Sequence, residues 1–234
     1  MNIRVRFSKH GCLKFIGHLD VMRYFQKAMR RAEIDMCYSE GFSPHMIMSF
    51  ASPLGLGLES DGEYMDISVK QSPSSKEAVE RLNAVMAEGI EVLSWRELPE
   101  NSKNAMASVA GADYEVRFRE GYELEEGWKK KLEEFLALPE IRIMKETKKG
   151  EQEVDIRPWV YDYHIKDQTI FLKVSAGSVH NLKPELLLKA FGDWAGVEIP
   201  AFALLICRKE MYADEGSETE RKLVALEELG EEIG

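Results

Sequence analysis

The sequence predicts an α+β protein built from tandem ferredoxin-like (β-α-β-β-α-β) sandwiches with antiparallel sheets. Two observations favour this class. Apolar residues repeat with strand and helix periods in that order twice, and a polar segment at 100–107 separates the two rounds as a linker. The 234 residues are 44% hydrophobic, an ordinary share for a folded globular protein. We therefore predict a first domain at 1–99, a second domain at 108–213 and an acidic C-terminal helix at 214–234.

The first domain contains one complete round of elements. Residues 3–7 alternate apolar and polar side chains, which is typical of a half-buried strand. In the helix predicted at 75–87, Ala78, Leu82 and Val85 lie on one side at helical spacing. The other predicted elements are a helix at 18–32 and strands at 46–51, 63–69 and 90–97. The acidic run at 59–66 lacks the spacing of a calcium loop, so we predict a solvated hairpin turn there.

The second domain repeats this order with a long hairpin. Pro184 suits the first turn of a helix because its φ is fixed, so we predict a helix at 185–194. The residues on either side of Lys148-Lys149-Gly150, at 141–147 and 152–157, predict the hairpin. The other predicted elements are strands at 112–119, 163–175 and 202–212 and a helix at 125–137.

The C-terminal segment carries helix signals of its own. Residues 217–220 read Ser-Glu-Thr-Glu, which matches a capping box, and Leu223, Leu226 and Leu229 form a short apolar stripe. We predict a helix docked on the second domain. The alternative is a docking peptide for a partner protein.

The helix at 18–32 is basic, although the chain is acidic. The first fifty residues hold eight Lys or Arg against four Asp or Glu, a net charge of +4, whereas the whole chain carries −10. This asymmetry indicates an anionic partner, and RNA suits it because guanidinium groups bind phosphates bidentately. The alternative is an ordinary solvated helix face. The predicted RNA-binding residues are Arg23, Lys27, Arg30, Arg31 and Lys14.

Two histidine-bearing turns flank this helix. A Gly N-cap and an acid in the first turn open it at 17–20, and Pro44 constrains the turn at 41–45 that follows it. In the ferredoxin-like topology both turns can lie at one end of the sheet. We therefore predict a shared pocket lined by His18, Asp20, Ser43 and His45.

The two histidines are also the candidate catalytic residues. Imidazole titrates near neutrality, so His18 and His45 can exchange protons. The alternative is that each histidine only braces its own turn. A convincing third ligand does not accompany the pair, so we predict no metal site.

Three segments resemble a known family. F-I-G-H-L-D-V-M-R, Y-S-E-G-F-S-P-H and S-F-A-S-P-L-G-L-G-L-E-S are similar to the uncharacterised radical-SAM-linked bacterial proteins, which occur fused to a radical S-adenosylmethionine enzyme or beside one. The resemblance is specific over residues 3–70 and looser to about 212. Two positions depart from the family pattern: Gly17 replaces the usual Ser, and Ser43 replaces the usual Asn. The resemblance implies a radical-SAM enzyme as partner.

These observations favour a cytoplasmic accessory or substrate-recognition module for a radical-SAM enzyme that modifies RNA, with tRNA or rRNA as the substrate. The three cysteines, Cys12, Cys37 and Cys207, are widely spaced and cannot form a compact cluster motif, so we expect no cofactor in this chain and no catalysis by it alone. Neither a long apolar run nor a signal-peptide core is present, so we expect no membrane association. The alternatives are a metal-independent endoribonuclease that uses His18 and His45, and a protein-only scaffold that binds an acidic partner.

Overall fold

The computed structural model shows a mixed α+β protein with a large, mostly antiparallel sheet and few helices. The chain divides into two compact units, of which the first comprises Met1–Ala112 with Arg208–Gly234 and the second Asp113–Cys207. The residues that the structure describes are 1–147, 150–217 and 220–234.

The helices and strands follow the predicted alternation along most of the chain. The α-helices are α1 (His18–Arg31), α2 (Ser75–Asn83), α3 (Ala105–Ser108), α4 (Trp128–Leu136) and α5 (Pro184–Ala195). The strands of the N-terminal half are β1 (Asn2–Lys9), β2 (Met48–Phe50), β3 (Glu59–Ser68), β4 (Ile90–Glu97) and β5 (Val109–Phe118). The later strands are β6 (Arg142–Thr147), β7 (Gly150–Asp155), β8 (Val160–Lys166), β9 (Thr169–Ser175), β10 (Leu204–Asp214), β11 (Leu223–Ala225) and β12 (Glu231–Glu232).

The strand order differs from the sequence order in both units. In the first unit the order is β12-β4-β1-β3-β10, with β2 also paired to β3. In the second unit the order is β10-β5-β9-β8, and β6 and β7 form a separate antiparallel pair. Strands β5 and β10 therefore contribute residues to both units. The predicted hairpin is confirmed as this β6–β7 pair, although Lys148 and Lys149 at its turn lie outside the described residues.

The core of the first unit lies between α1 and one face of the sheet. Alternation along β1 turns Ile3, Val5 and Phe7 toward α1, and all three are buried. Phe25 of α1 meets Phe7 edge to face, with ring centroids 4.7 Å apart. Because this apolar stripe anchors α1, its basic side is left facing solvent. The predicted strand at 90–97 is confirmed as β4.

Strand β3 overturns the prediction of a solvated hairpin turn at 59–66. Glu63 and Asp66 are buried there, at 5% and 9% exposure. Asp66 accepts hydrogen bonds from Arg4 at 2.9 and 3.0 Å, and Glu63 pairs with Arg208 at 2.6 Å. These cationic partners lie far away in sequence, so the local pattern shows only the acids.

The C-terminal segment is not a helix, and it belongs to the first unit. It forms β11, a 3₁₀ turn at Leu226–Leu229 and β12, which pairs antiparallel with β4. Leu226 is fully buried. The spacing of its leucines suits a helix, but the open edge of β4 offers backbone partners that a helix would not use. Glu218 and Thr219 of the predicted capping box lie outside the described residues.

Three further boundaries differ from the prediction. The single strand predicted at 163–175 is the hairpin β8–β9, which turns at Asp167 with φ 53°. No Gly or Pro marks that turn, and Asp167, which tolerates a positive φ, is a weaker turn signal. The helix predicted at 75–87 ends at Asn83. The predicted linker contains the short helix α3, whose Ala105 is fully buried.

Candidate nucleic-acid interface

The outward side of α1 carries the predicted cations. Arg23, Lys27, Arg30 and Arg31 are all exposed. Arg23 lies 3.4 Å from Asp20, one turn earlier. Within the described ranges, Lys27, Arg30 and Arg31 have no acidic group within ion-pair distance. Three cations are therefore available to an external anion, while Arg23 is held by a neighbouring carboxylate.

Lys14 lies in a separate cluster at the end of β1. Its ammonium is 3.1 Å from Glu59, and His10 Nε2 is 2.8 Å from Asp61, which also pairs with Lys209. Burial raises the pKa of Asp61, but the hydrogen bond and charge of Lys209 outweigh it and hold the pKa below its ordinary value. Lys14 is thus engaged with an acid, unlike the cations of α1.

The loop at 51–58 is fixed from two sides. Arg208 donates to the carbonyl of Ser52 at 2.7 Å, and the N–H of Gly57 donates to the carbonyl of Lys14 at 2.9 Å. Gly57 has φ +84°, and a Cβ there would lie 4.0 Å from the Phe15 ring. A glycine is therefore needed at this position for its backbone conformation. The contact of Gly57 joins the third family-like segment to Lys14, the residue just before the first segment.

The family-like segments also expose large apolar side chains. Phe15, Leu19 and Leu56 are 67%, 59% and 65% exposed, and Phe42 is fully exposed. We call these four residues the apolar motif set. Contiguous apolar patches mark contacts with partner proteins, whereas single exposed apolar residues are ordinary. The exposure of these side chains cannot be inferred from a local motif, because it depends on what the rest of the fold covers.

The two histidines have different neighbours. His18 is half-buried and meets the Phe50 ring edge to face, with centroids 5.1 Å apart. His45 is exposed, and its Nδ1 lies 2.8 Å from the Ser39 hydroxyl. The backbone N–H of His45 donates to the same hydroxyl at 3.1 Å, so this residue closes its own turn. Asp20 and Ser43 are exposed. The shared pocket and the acid/base role stay predictions.

A buried polar network on the other face of the sheet was missed by the sequence reasoning. The Tyr64 hydroxyl donates to Glu210 at 2.6 Å, and Arg6 lies 2.9 Å from the same carboxylate. Burial raises the pKa of both Tyr64 and Glu210. One signal was present: alternation along β1 places Arg4 and Arg6 together, opposite the apolar residues.

Among residues 1–147, 150–217 and 220–234, no group of three or more His, Cys, Asp or Glu side chains could hold a metal ion. Cys12 is exposed, and Cys37 and Cys207 are half-buried. None of the described helices has the length and apolar character needed to cross a membrane.

Comparison with known proteins identifies the family to which this chain belongs. One chain of a solved structure, described as "Crystal Structure of a Cbf5-Nop10-Gar1 Complex", is similar at 12% identity and a TM-score of 0.48. The match covers 89% of this chain and 48% of that one, so this chain spans about half its length and the likeness is weak. No match was found among curated proteins. The family model for "uncharacterized protein conserved in bacteria (DUF2344)" matches residues 2–184. This chain belongs to that bacterial family.

Proposed function

We propose that this protein binds RNA through the outward side of α1 and presents it to a radical-SAM enzyme, without catalysing a reaction itself. One observation carries the proposal. Lys27, Arg30 and Arg31 project into solvent without an acidic partner in the part of the chain that the structure describes, although acids outnumber cations 41 to 31 overall. A structural role alone does not require three unpaired cations on one helix face.

The chemistry of these cations suits a phosphate backbone. Guanidinium groups donate two parallel hydrogen bonds to a phosphate, and a lysine adds a point charge. From Arg23 to Arg30 the helix rises about 10 Å, so the row can contact successive phosphates of one strand. Binding of this kind is largely independent of base sequence, so the specificity for a modification site must come from other contacts.

The partner is proposed from the family-like segments. Their resemblance to radical-SAM-linked proteins suggests a radical-SAM enzyme as the partner. The exposed side chains of the apolar motif set are available for contact with that enzyme. The protein-only scaffold is the competing proposal, and it uses the same surface without RNA.

We also propose that each unit is ferredoxin-like. In the first unit, β1, α1, β2, β3, α2 and β4 follow the β-α-β-β-α-β order, and β3 lies between β1 and β2. In the second unit, β5, β8, β9 and β10 take the corresponding positions. The β6–β7 pair is then an insertion after α4.

Crosslinking in cells followed by sequencing of the bound RNA tests the function. We expect RNA on the wild-type protein and a loss of most of it in the Lys27→Gln/Arg30→Gln/Arg31→Gln variant. Deleting the protein should lower the activity of the radical-SAM enzyme on that RNA, and adding it back should restore the activity. Equal RNA recovery from wild type and variant would exclude the α1 interface. Recovery of the enzyme without any RNA would favour the scaffold.

A further inference from the structure

A short C-terminal strap crosses the arginine-bearing face of the first unit. We use this name for Leu226–Gly234. Its Glu227 carboxylate lies 2.7 Å from Arg6, and its Glu232 carboxylate lies 3.2 Å from Arg96. The carbonyl of Leu226 accepts from Arg4 at 3.1 Å. The strap therefore places two carboxylates beside arginines of β1 and β4.

The strap leaves several buried donors unsatisfied. The Nε atoms of Arg6 and Arg96 and the hydroxyl of Ser94 are buried and have no hydrogen-bond partner among the described residues. The pairing of β1 with β4 sets Arg6 opposite Ser94 and Arg4 opposite Arg96, so these groups share one sheet face. Buried donors without partners are rare and cost stability. Their occurrence together indicates a site whose proper ligand is something other than the strap.

Arg6, Ser94 and Arg96 line one cleft with a volume of about 510 Å³. The other charged residues that line it are Glu227, Glu232, Lys76 and Glu80. At the end of the strap, β12 pairs with β4 through two residues, both exposed. The N–H of Ile233 donates to the Ser75 hydroxyl, its carbonyl accepts from the Ser75 N–H, and its half-buried side chain packs against the core. Lifting this end breaks these contacts, whereas the buried Leu226 side chain holds the strap at its other end.

We propose that Arg6, Ser94 and Arg96 form a phosphate-binding site in which the carboxylates of Glu227 and Glu232 occupy the positions of an anionic ligand. A phosphate group fits these donors, because its several oxygens can accept from both guanidinium groups and the hydroxyl at once. When a phosphate displaces the strap, its oxygens can accept from the Nε atoms of Arg6 and Arg96 and from the Ser94 hydroxyl. The site is separate from α1 and does not depend on the function proposed above.

Removal of the two strap carboxylates tests the site. The variant Glu227→Gln/Glu232→Gln keeps the shape of the strap but removes its negative charge beside the arginines. We expect it to bind pyrophosphate, measured by titration calorimetry, and a labelled oligouridylate, measured by fluorescence anisotropy, about tenfold more tightly than wild type. A gain with both probes assigns the site to free phosphate compounds, and a gain with the oligouridylate alone assigns it to nucleic acid.

The strap offers a matched control. Glu228 and Glu231 are exposed acids of the same segment, so Glu228→Gln/Glu231→Gln changes the net charge equally without touching the cleft. The proposal requires no comparable gain in this control. It also requires that Arg6→Met/Arg96→Met, added to the Glu227→Gln/Glu232→Gln variant, cancels the gain. If the fourfold variant fails to fold, Arg96→Met alone, added to the Glu227→Gln/Glu232→Gln variant, serves in its place. An equal gain in the control, a gain that survives loss of the arginines, or no gain with either probe would overturn the proposal.

Discussion

Arg208 and Glu63 are 145 residues apart in sequence and form a buried ion pair. Arg208 Nε lies 2.8 Å from Glu63 Oε1, and a terminal guanidinium nitrogen lies 2.6 Å from each carboxylate oxygen. The two side chains are 3% and 7% exposed. Lys9 is buried beside them, and burial together with the charge of Arg208 lowers its pKa, against the opposing effect of Glu63. The Glu63 carboxylate thus lies beside two buried cations.

This arrangement predicts that the two members of the pair differ in importance. Glu63→Gln removes the buried carboxylate that accepts from Arg208 and lies beside Lys9, so we expect the free energy of unfolding to fall by about 3–5 kcal/mol. Arg208→Met should cost less, because the ammonium of Lys9 still faces Glu63. Urea unfolding of both variants measures the difference. An equal cost, or a larger cost for Arg208→Met, would contradict this account.

The salt dependence of RNA binding should reveal the α1 interface. If Lys27, Arg30 and Arg31 each contact a phosphate, replacing all three by Gln should reduce the slope of log K against log salt by about 0.7–0.9 per lost contact. Lys130→Gln/Lys131→Gln/Lys189→Gln is the matched control, since these cations lie on helices of the second unit and the charge change is the same. Fluorescence anisotropy over a range of salt concentrations measures both slopes. A control that changes the slope equally would show that net charge alone matters.

Acid should weaken the contribution of Asp61 to stability. Its pKa is lower in the folded protein than its ordinary value of 3.8, so the stabilisation is present above that value and is lost as the pH falls through the folded pKa. The urea midpoints of wild type and Asp61→Asn should therefore differ near neutral pH and converge below about pH 3.8. Lys209→Met removes the main stabilising contact of Asp61 and should shrink the difference. A constant gap at all pH values would contradict the prediction.

Gly62 permits the close approach of β3 and β10. A Cβ at this position would lie 2.6 Å from the carbonyl oxygen of Lys209 and 2.9 Å from Glu210 Cα. Since both contacts are with backbone, Gly62→Ala should destabilise the protein by about 1–3 kcal/mol. Gly55→Ala is the control, because a Cβ there would meet only the Leu58 side chain, at 3.6 Å. Thermal unfolding compares the two variants, and equal midpoints would show that the strands can separate without cost.

The elements that the sequence predicts well are those with a local pattern. Phe25 and Met29 recur at helical spacing and locate α1, and the apolar alternation of 90–97 locates β4 to the residue. The exposed cations of α1 follow from the same pattern, because a helix that buries one stripe exposes the other. This part of the candidate site was therefore predictable.

The remaining features depend on partners far along the chain. The residues at 59–66 contain a glycine and several acids, which suggest a turn, and only Arg4 and Arg208 explain why Glu63 and Asp66 are inside a strand. The spacing of Leu226 and Leu229 suggests a helix, and only the edge of β4 explains the strap. The exposure of Phe42 likewise depends on what the fold leaves uncovered.

The division of the first unit into two stretches of sequence has a consequence for synthesis on the ribosome. Glu63 emerges 145 residues before Arg208, and a ribosome needs roughly 7–30 s to make that interval. During this time the second unit is completed, while Glu63 lacks Arg208 and the edge of β4 lacks β12. The nascent first unit thus passes through a stage with an unprotected strand edge, at which chaperones and proteases can act on it. A codon change that slows translation before Arg208 prolongs that exposure without altering any residue of the finished protein.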